Sequence, residues 1–451
     1  GGRGGGGGRR GGGGGMGAGG AGAATAARSR AALERDAGTL EGAGSRAAMA
    51  AELRAGAYNY QPLPVVLARG KGTQVWDVEG REYIDCMAGF GAVNHGHGHP
   101  RLVAAMKRQL DELYLVGRAF YNDQLGAYEE AVTSHFGFER LLPTNTGVEA
   151  GETAVKLARR WAYDVKGVPP DCARVAFPAG NFWGRTLAAV SASTDPSAYG
   201  GFGPLAPGFD VVPYDDLPAL EAHFEAHPHT CAYFFEPLQG EGGVVVPREG
   251  YLRGVRELCD RFNVLMVCDE VQAGMGRTGH DAAVWREAGV QPDLLLLAKS
   301  LSGGLYPVSC VLGSSEVLLS VAPGEHGSTF GGNPLGCAVA LEGLAVLKEE
   351  RLSENARAMG EVFRAGLREV AAAHPGAVAD VRGLGLMNAL ELSPEAPAAA
   401  WDVCLDMRDR GLLARPTKEH ILRFTPPLVI DRAGVDRCLE IVADSLRARL
   451  G

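Results

Sequence analysis

No Cys-x-x-Cys pair, no Asn-x-Ser/Thr sequon and no apolar run near the roughly 18 residues that cross a bilayer occur in these 451 residues. The nine cysteines, at 86, 172, 231, 259, 268, 310, 337, 404 and 438, are odd in number and widely spaced. They form neither a disulfide framework nor a zinc pattern and suit a reducing compartment. The expectation is an intracellular protein that does not span a membrane, in the cytoplasm or the mitochondrial matrix. A Gly-x-Ser-x-Gly elbow and a Gly-x-x-x-x-Gly-Lys-Ser/Thr loop are also missing, which removes the sequence support for serine-hydrolase and P-loop chemistry. Positive charge is scarce as well. With 44 Lys and Arg against 53 Asp and Glu, the net charge of -9 argues against general nucleic-acid binding.

What is present reads as globular: 46% hydrophobic and 22% charged residues, over a length that suits two domains. The exception is the first stretch, "GGRGGGGGRRGGGGGMGAGGAGAATAARSR", where Arg3, Arg9, Arg10, Arg28 and Arg30 precede the first acid, Glu34. It has almost nothing to bury against the entropy of ordering, so a disordered leader to about residue 55 is expected. A transit peptide, an Arg/Gly tail for RNA and a plain low-complexity leader all fit that composition.

From Tyr58, "NYQPLPVVLARGKGTQVWDVEGREYIDC" alternates apolar and polar residues around turns, as a small antiparallel sheet does. Between about 105 and 340 short continuous apolar runs recur, in "RVAFPAGNFWGRT", "CAYFFEPLQGEGG", "NVLMVCDEVQAG" and "DLLLLAKSLSGG". Such runs mean burial on both faces, and the spacing of the last three is that of beta-alpha-beta units. The fold expected is α/β, a mostly parallel sheet covered by helices, plus a smaller α+β domain built from residues 56–104 and 341–451. Ligands of such sheets sit beyond the carboxyl ends of the strands, which here carry Arg185, Glu236, Asp269 and Lys299.

Burial at a strand tip favours a neutral, nucleophilic lysine, able to condense with an aldehyde. Alone, Lys299 fits better a side chain that snorkels or pairs with an acid. Asp269 changes that balance, because a buried carboxylate needs a cation, and a heteroaromatic nitrogen supplies one. Pyridoxal phosphate carries the aldehyde and the nitrogen on one ring. "LPTNTGVEAGETAVKLARRW" offers a phosphate cup, with Thr146 and Glu149 at capping-box spacing and Gly147 between them. In "NFWGRT", Phe182 or Trp183 is placed to cover a planar ring and Arg185 to hold a carboxylate. His95, His97 and His99 lack the helical spacing of a metal motif and read as loop structure.

Long segments around these residues, "PTNTGVEAGETAVKLARRW", "GNFWGRTL", "EPLQGEGGVVVP", "KSLSGGLYPVS", "GEHGSTFGGNPLG" and "LRFTPPLVI", resemble the class III, fold-type I pyridoxal-phosphate aminotransferases. The resemblance runs from about Tyr58 to the last helix. It implies that Lys299 joins the cofactor covalently, Asp269 holds the ring nitrogen, Gln272 lies near the ring hydroxyl and Phe182 stacks on the ring. Gly147, Val148 and Ser328 would bind the cofactor at its phosphate end, with Thr329 reaching in from a neighbouring subunit, so that a homodimer is the smallest active form. The implied reaction moves the δ-amino group of ornithine to 2-oxoglutarate, linking ornithine and proline metabolism. Acetylornithine or 4-aminobutyrate transamination, and an amine-shifting isomerase, are the alternatives. Substrate contacts carried over are Tyr60, Phe90, Trp183, Arg185, Glu236, Glu241 and Arg423, with Glu241 neutralising Arg423 until a diacid arrives. At Phe90 the matched segment has Tyr in ornithine-specific members, so a hydroxyl facing the substrate is absent here.

Overall fold

The computed structural model describes residues 30, 31, 34, 35, 38, 42–287, 289–396 and 398–450. Residues 1–29, most of the expected leader, lie outside them. The chain divides into two compact units, residues 1–69 with 76–81 and residues 70–75 with 82–451. In the first, Ala43–Ala55 is helical, a correction to a leader running to residue 55. The physical reason is an Ala-rich segment of high helix propensity, anchored near its start by Ser45, whose amide and hydroxyl both donate to Glu79 (2.9 and 2.5 Å).

Fifteen strands are described in chain order: β1 (Leu67–Lys71), β2 (Gln74–Asp77), β3 (Glu82–Asp85), β4 (Arg140–Thr144), β5 (Arg174–Pro178), β6 (Phe209–Val212), β7 (Thr230–Phe235), β8 (Leu265–Asp269), β9 (Leu294–Leu297), β10 (Ser309–Gly313), β11 (Val378–Leu384), β12 (Met387–Leu392), β13 (Leu412–Leu413), β14 (Arg415–Thr417) and β15 (Ile421–Phe424). The second unit is organised by a seven-stranded sheet in the order β4-β10-β9-β8-β7-β5-β6. Strands β9, β8, β7, β5 and β6 run parallel, and β10 is antiparallel to both β9 and β4. β10 reverses because residues 298–308 are too few for the helical crossover of about a dozen residues or more that a parallel neighbour requires. That short return begins with Lys299.

The four apolar runs form β5, β7, β8 and β9, and the last three are buried along their whole length. Helix Gly147–Trp161 covers the sheet by placing Ala150, Ala154, Leu157, Ala158 and Trp161 against Val175, Phe177, Phe234, Val267 and Leu296. Each large apolar side chain buried in this way contributes about 1.5–3 kcal/mol. A helix, Tyr251–Phe262, links β7 to β8 as expected, but among the described residues between β8 and β9 there is only one short 3₁₀ turn, Ala283–Arg286. The stretch "VQAGMGRTGHDAA" is too rich in glycine to hold a helix, and it stays irregular beside the strand ends.

Downstream, β11-β12-β15-β14 form a four-stranded antiparallel sheet. Met387 and Ala389 of β12 and Ile421 of β15 pack with Leu238 and Val244. This apolar contact seats the loop after β7 against the strand that carries Arg423.

Candidate active site

Lys299 follows β9 at φ 45°, a left-handed backbone that turns its side chain away from the strand line. Burial lowers its pKa, Arg423 acts in the same direction, and the charges of Glu241, Asp269 and Glu236 oppose them. These five groups therefore share one field, which sequence order alone does not show.

Asp269 is the last residue of β8 and is buried. Burial raises its pKa to about 6, against the bond from the Val271 amide (2.9 Å) and the pull of Lys299. A carboxyl so poised takes its charge readily when a cation is set against it. Gln272, three residues on, donates through Nε2 to the Phe90 carbonyl (3.0 Å) and to Glu241 Oε1 (3.3 Å). Its Oε1 is buried with no hydrogen-bond partner among the described residues.

Arg423 is 2% exposed on β15, and its Nη1 lies 2.6 Å from Glu241 Oε1. Burial acts to raise the Glu241 carboxyl, but Arg423 outweighs it, so the carboxyl lies below its usual value. The Arg423 guanidinium also stands 5.8 Å from the centre of the Phe90 ring. Phe90 belongs to four consecutive left-handed residues, Ala88 to Gly91 (φ 45°, 60°, 61° and 78°). That turn directs its carbonyl at Gln272.

At the phosphate end, Thr146 caps helix Gly147–Trp161 and completes a capping box with Glu149. Asn145 Nδ2 donates to Glu149 and to Ser328 Oγ (both 2.9 Å), which joins the helix start to the Ser328–Thr329 loop. Thr329 itself is exposed. A side chain at position 147 would meet Val271 Cγ1 at 2.8 Å, so this cradle requires glycine.

The other expected contacts have varied surroundings. Trp183 is 6% exposed and stacks on Phe177 (5.6 Å, 6° between planes) and against Phe234, a correction to its expected part in substrate binding: it is a core residue. Phe182 is half-buried, with the exposed Arg185 guanidinium 5.5 Å from its ring centre. Tyr60 lies in the first unit and is exposed. Glu236 turns its carboxyl oxygens to the backbone amides of Phe182 (3.0 Å) and Gly240 (3.1 Å). The three histidines take separate partners: His95 meets the Gly343 carbonyl (2.8 Å), His97 meets Asp85 (2.7 Å) and His99 meets Glu350 (3.2 Å).

Sequence reasoning passes over Asn94 and Arg277. Asn94 Nδ2 donates to the Met275 carbonyl (2.8 Å) and to Ser300 Oγ (3.0 Å), beside Lys299. The fully buried Arg277 donates to the Leu386 and Pro426 carbonyls (2.9 and 2.6 Å) and to Asn94 Oδ1. The one available signal was a charged residue inside the glycine-rich "GMGRTG".

Burial raises the carboxyls of Glu236 to about 8, Glu270 to about 7 and Asp269 to about 6, and raises that of Glu129 as well. A raised folded pKa contributes stability that is complete below the unfolded value and is lost as pH rises through the folded one. Histidines with lowered values, such as His95 at about 4, act oppositely, but only below their unfolded value of about 6.5. The cofactor-free protein is thus expected to lose stability between pH about 6.5 and 8, by up to roughly 1.4 kcal/mol per pH unit for each proton released. Urea midpoints across that window check this. Glu236→Gln should flatten the slope, and an unchanged slope would contradict the assignment.

A model of the family described as aminotransferase class-III matches residues 55–446. The chain belongs to the class-III aminotransferases, enzymes that depend on pyridoxal phosphate. A rat protein named ornithine aminotransferase, mitochondrial, is 54% identical over 391 residues, covering 87% of this chain and 88% of that protein. The ornithine aminotransferase of Toxoplasma gondii, in a structure described with partial occupancy of pyridoxal phosphate at its active site, matches with a TM-score of 0.88 and 44% identity, over 92% of this chain and 96% of that one. An acetylornithine aminotransferase from Elizabethkingia anophelis matches with a TM-score of 0.81 and 43% identity, over 90% and 99%.

The residues present fit that cofactor. The unpartnered Gln272 Oε1 offers an acceptor to a ring hydroxyl, and the buried Asp269 offers an anion to a ring nitrogen. Gly147, packed too closely on Val271 for any side chain, opens the helix whose first amides can hold a phosphate.

Proposed function

We infer that this protein transfers the δ-amino group of ornithine to 2-oxoglutarate, giving glutamate 5-semialdehyde and glutamate. The observation that carries the reading is the Arg423–Glu241 pair at 2.6 Å, acting on the same lysine amine as Asp269. When bound, pyridoxal phosphate supplies an electron sink for the charge left on carbon as a proton departs. Lys299 holds the cofactor's aldehyde end and, once freed by substrate, moves the proton through Nζ. Asp269 keeps the ring nitrogen charged, Gln272 holds the ring hydroxyl and Phe182 covers one face. Gly147 and Val148 offer amides to the phosphate, and we propose that Ser328 lies at the cofactor site and that Thr329 serves the site of a second copy in a homodimer. The exposure of Thr329 and Phe330 supports that assignment.

The two half-reactions need opposite carboxylate handling. With Glu241 on Arg423, the inner carboxylate site is neutralised, and ornithine enters δ-amine first, its carboxylate held by Arg185. A diacid displaces Glu241 and takes Arg423. We propose 105–340 as the cofactor-carrying domain and the flanking 56–104 and 341–451 as the smaller one. Among the described residues no helix is long and apolar enough to cross a membrane, and an intracellular site of action, in cytoplasm or mitochondrial matrix, completes the proposal.

The test is incubation with ornithine and 2-oxoglutarate, following the cyclised semialdehyde. Consumption of acetylornithine or 4-aminobutyrate in place of ornithine would move the assignment to that amine. Glu241→Gln is expected to lower δ-over-α selectivity about tenfold, the scale of one charged hydrogen bond. Product ratios from ornithine measure it, and an unaltered ratio would remove Glu241 from the account.

A further inference from the structure

Glu236 directly follows β7, and the residue is 7% exposed. A carboxyl in that place could face a substrate, yet both its oxygens are engaged with backbone. Oε1 accepts from the amide of Phe182 and Oε2 from the amide of Gly240, which lie in two different loops. Its own carbonyl accepts from Tyr214 Oη (2.9 Å), which fixes the residue from behind.

Both tethered amides adjoin groups with assigned roles. Phe182 carries the ring that covers the cofactor, and Gly240 directly precedes Glu241. The position of Gly240 is tightly constrained: a Cβ there would lie 1.6 Å from Gln272 Oε1 and 2.9 Å from Met387 Cε. A small shift of the Gly240 amide therefore moves Glu241 relative to both Gln272 and Arg423. Gln239 adds a second stitch between the same loops, donating through Nε2 to the Ala179 carbonyl (2.7 Å).

We propose that Glu236 is a positioning residue for δ-selectivity, which holds the Phe182 loop and the Glu241 loop in register by bonding one backbone amide of each. The inference rests on the ornithine reading, because selectivity is what it explains. It also accounts for burying an acid beside Asp269. An aspartate is one methylene too short to reach both amides. A glutamine offers one acceptor and one donor, so it keeps one tether and sets N–H against N–H at the other.

The experiment compares Glu236→Gln, Glu241→Gln and the double variant as holoenzymes, reading the δ-to-α product ratio from ornithine and the circular dichroism of the bound cofactor. Glu236→Gln is expected to lower the ratio about fivefold to tenfold and to alter the cofactor band. In the Glu241→Gln background it should change the ratio less than twofold, since a residue acting through Glu241 has nothing left to position. A Glu236→Gln enzyme with lower thermal stability but wild-type ratio and wild-type cofactor band would overturn the proposal and leave Glu236 a structural residue. Equal loss of selectivity in both backgrounds would also overturn it, showing that Glu236 acts on substrate directly. Failure of the ornithine reading is seen separately, in wild-type protein that forms no semialdehyde.

Discussion

Lys299→Ala is expected to lower kcat by at least about a thousandfold, with borohydride leaving no cofactor attached to the variant. Two functions leave with one side chain: the covalent hold on the aldehyde and the amine that moves the proton. The drop reports chemistry rather than unfolding, because the replaced amine is one whose charged form burial disfavours. Its removal relieves that strain, and the positive φ at 299 is no harder for alanine than for lysine. Cofactor-free Lys299→Ala should therefore melt within a few degrees of cofactor-free wild type. Substantial turnover by the variant would refute the assignment of Lys299.

Asp269→Asn is expected to be nearly as severe, about a hundredfold to ten-thousandfold in kcat, with weaker retention of the cofactor. Asparagine matches the shape of aspartate and can keep the bond from the Val271 amide, so the change is one of charge. A neutral amide does not keep a ring nitrogen protonated, and the electron sink weakens with it. The same substitution should leave the cofactor-free protein as stable as wild type or more so, since it removes a carboxyl that burial has already raised to about 6. Activity and stability thus move in opposite directions. Kinetics together with melting of the two forms measures both, and a loss of stability equal to the loss of activity would point to a structural role instead.

Much of this site is legible in the sequence. The run "DLLLLAK" announced a buried strand ending in a lysine, "VLMVCD" did the same for an acid, and Thr146 with Glu149 announced a capped helix. Continuous apolar runs, strand-end polar residues and capping spacing are local signals, and local signals survive in one dimension. Trp183 was not legible: beside Phe182 in the same loop, it turns to Phe177 and the core while Phe182 stays half-buried. Adjacent residues at a loop bend point in opposite directions, and composition does not say which. Nor was the irregular passage from β8 to β9 foreseen, where strand spacing suggested a helix and the glycines prevented one.

The sequence by itself determined the sheet-forming runs, the helix start at Thr146, the amine and the acid at neighbouring strand tips, and hence the chemistry of the site. Only the tertiary structure decided that Glu241 meets Arg423, that Glu236 ties two loops by their backbones, and that Asn94 and Arg277 brace the turn beside Lys299. The physical reason is separation along the chain. Contacts between residues far apart in sequence depend on how packed layers bring their loops together, and no local periodicity or propensity encodes that.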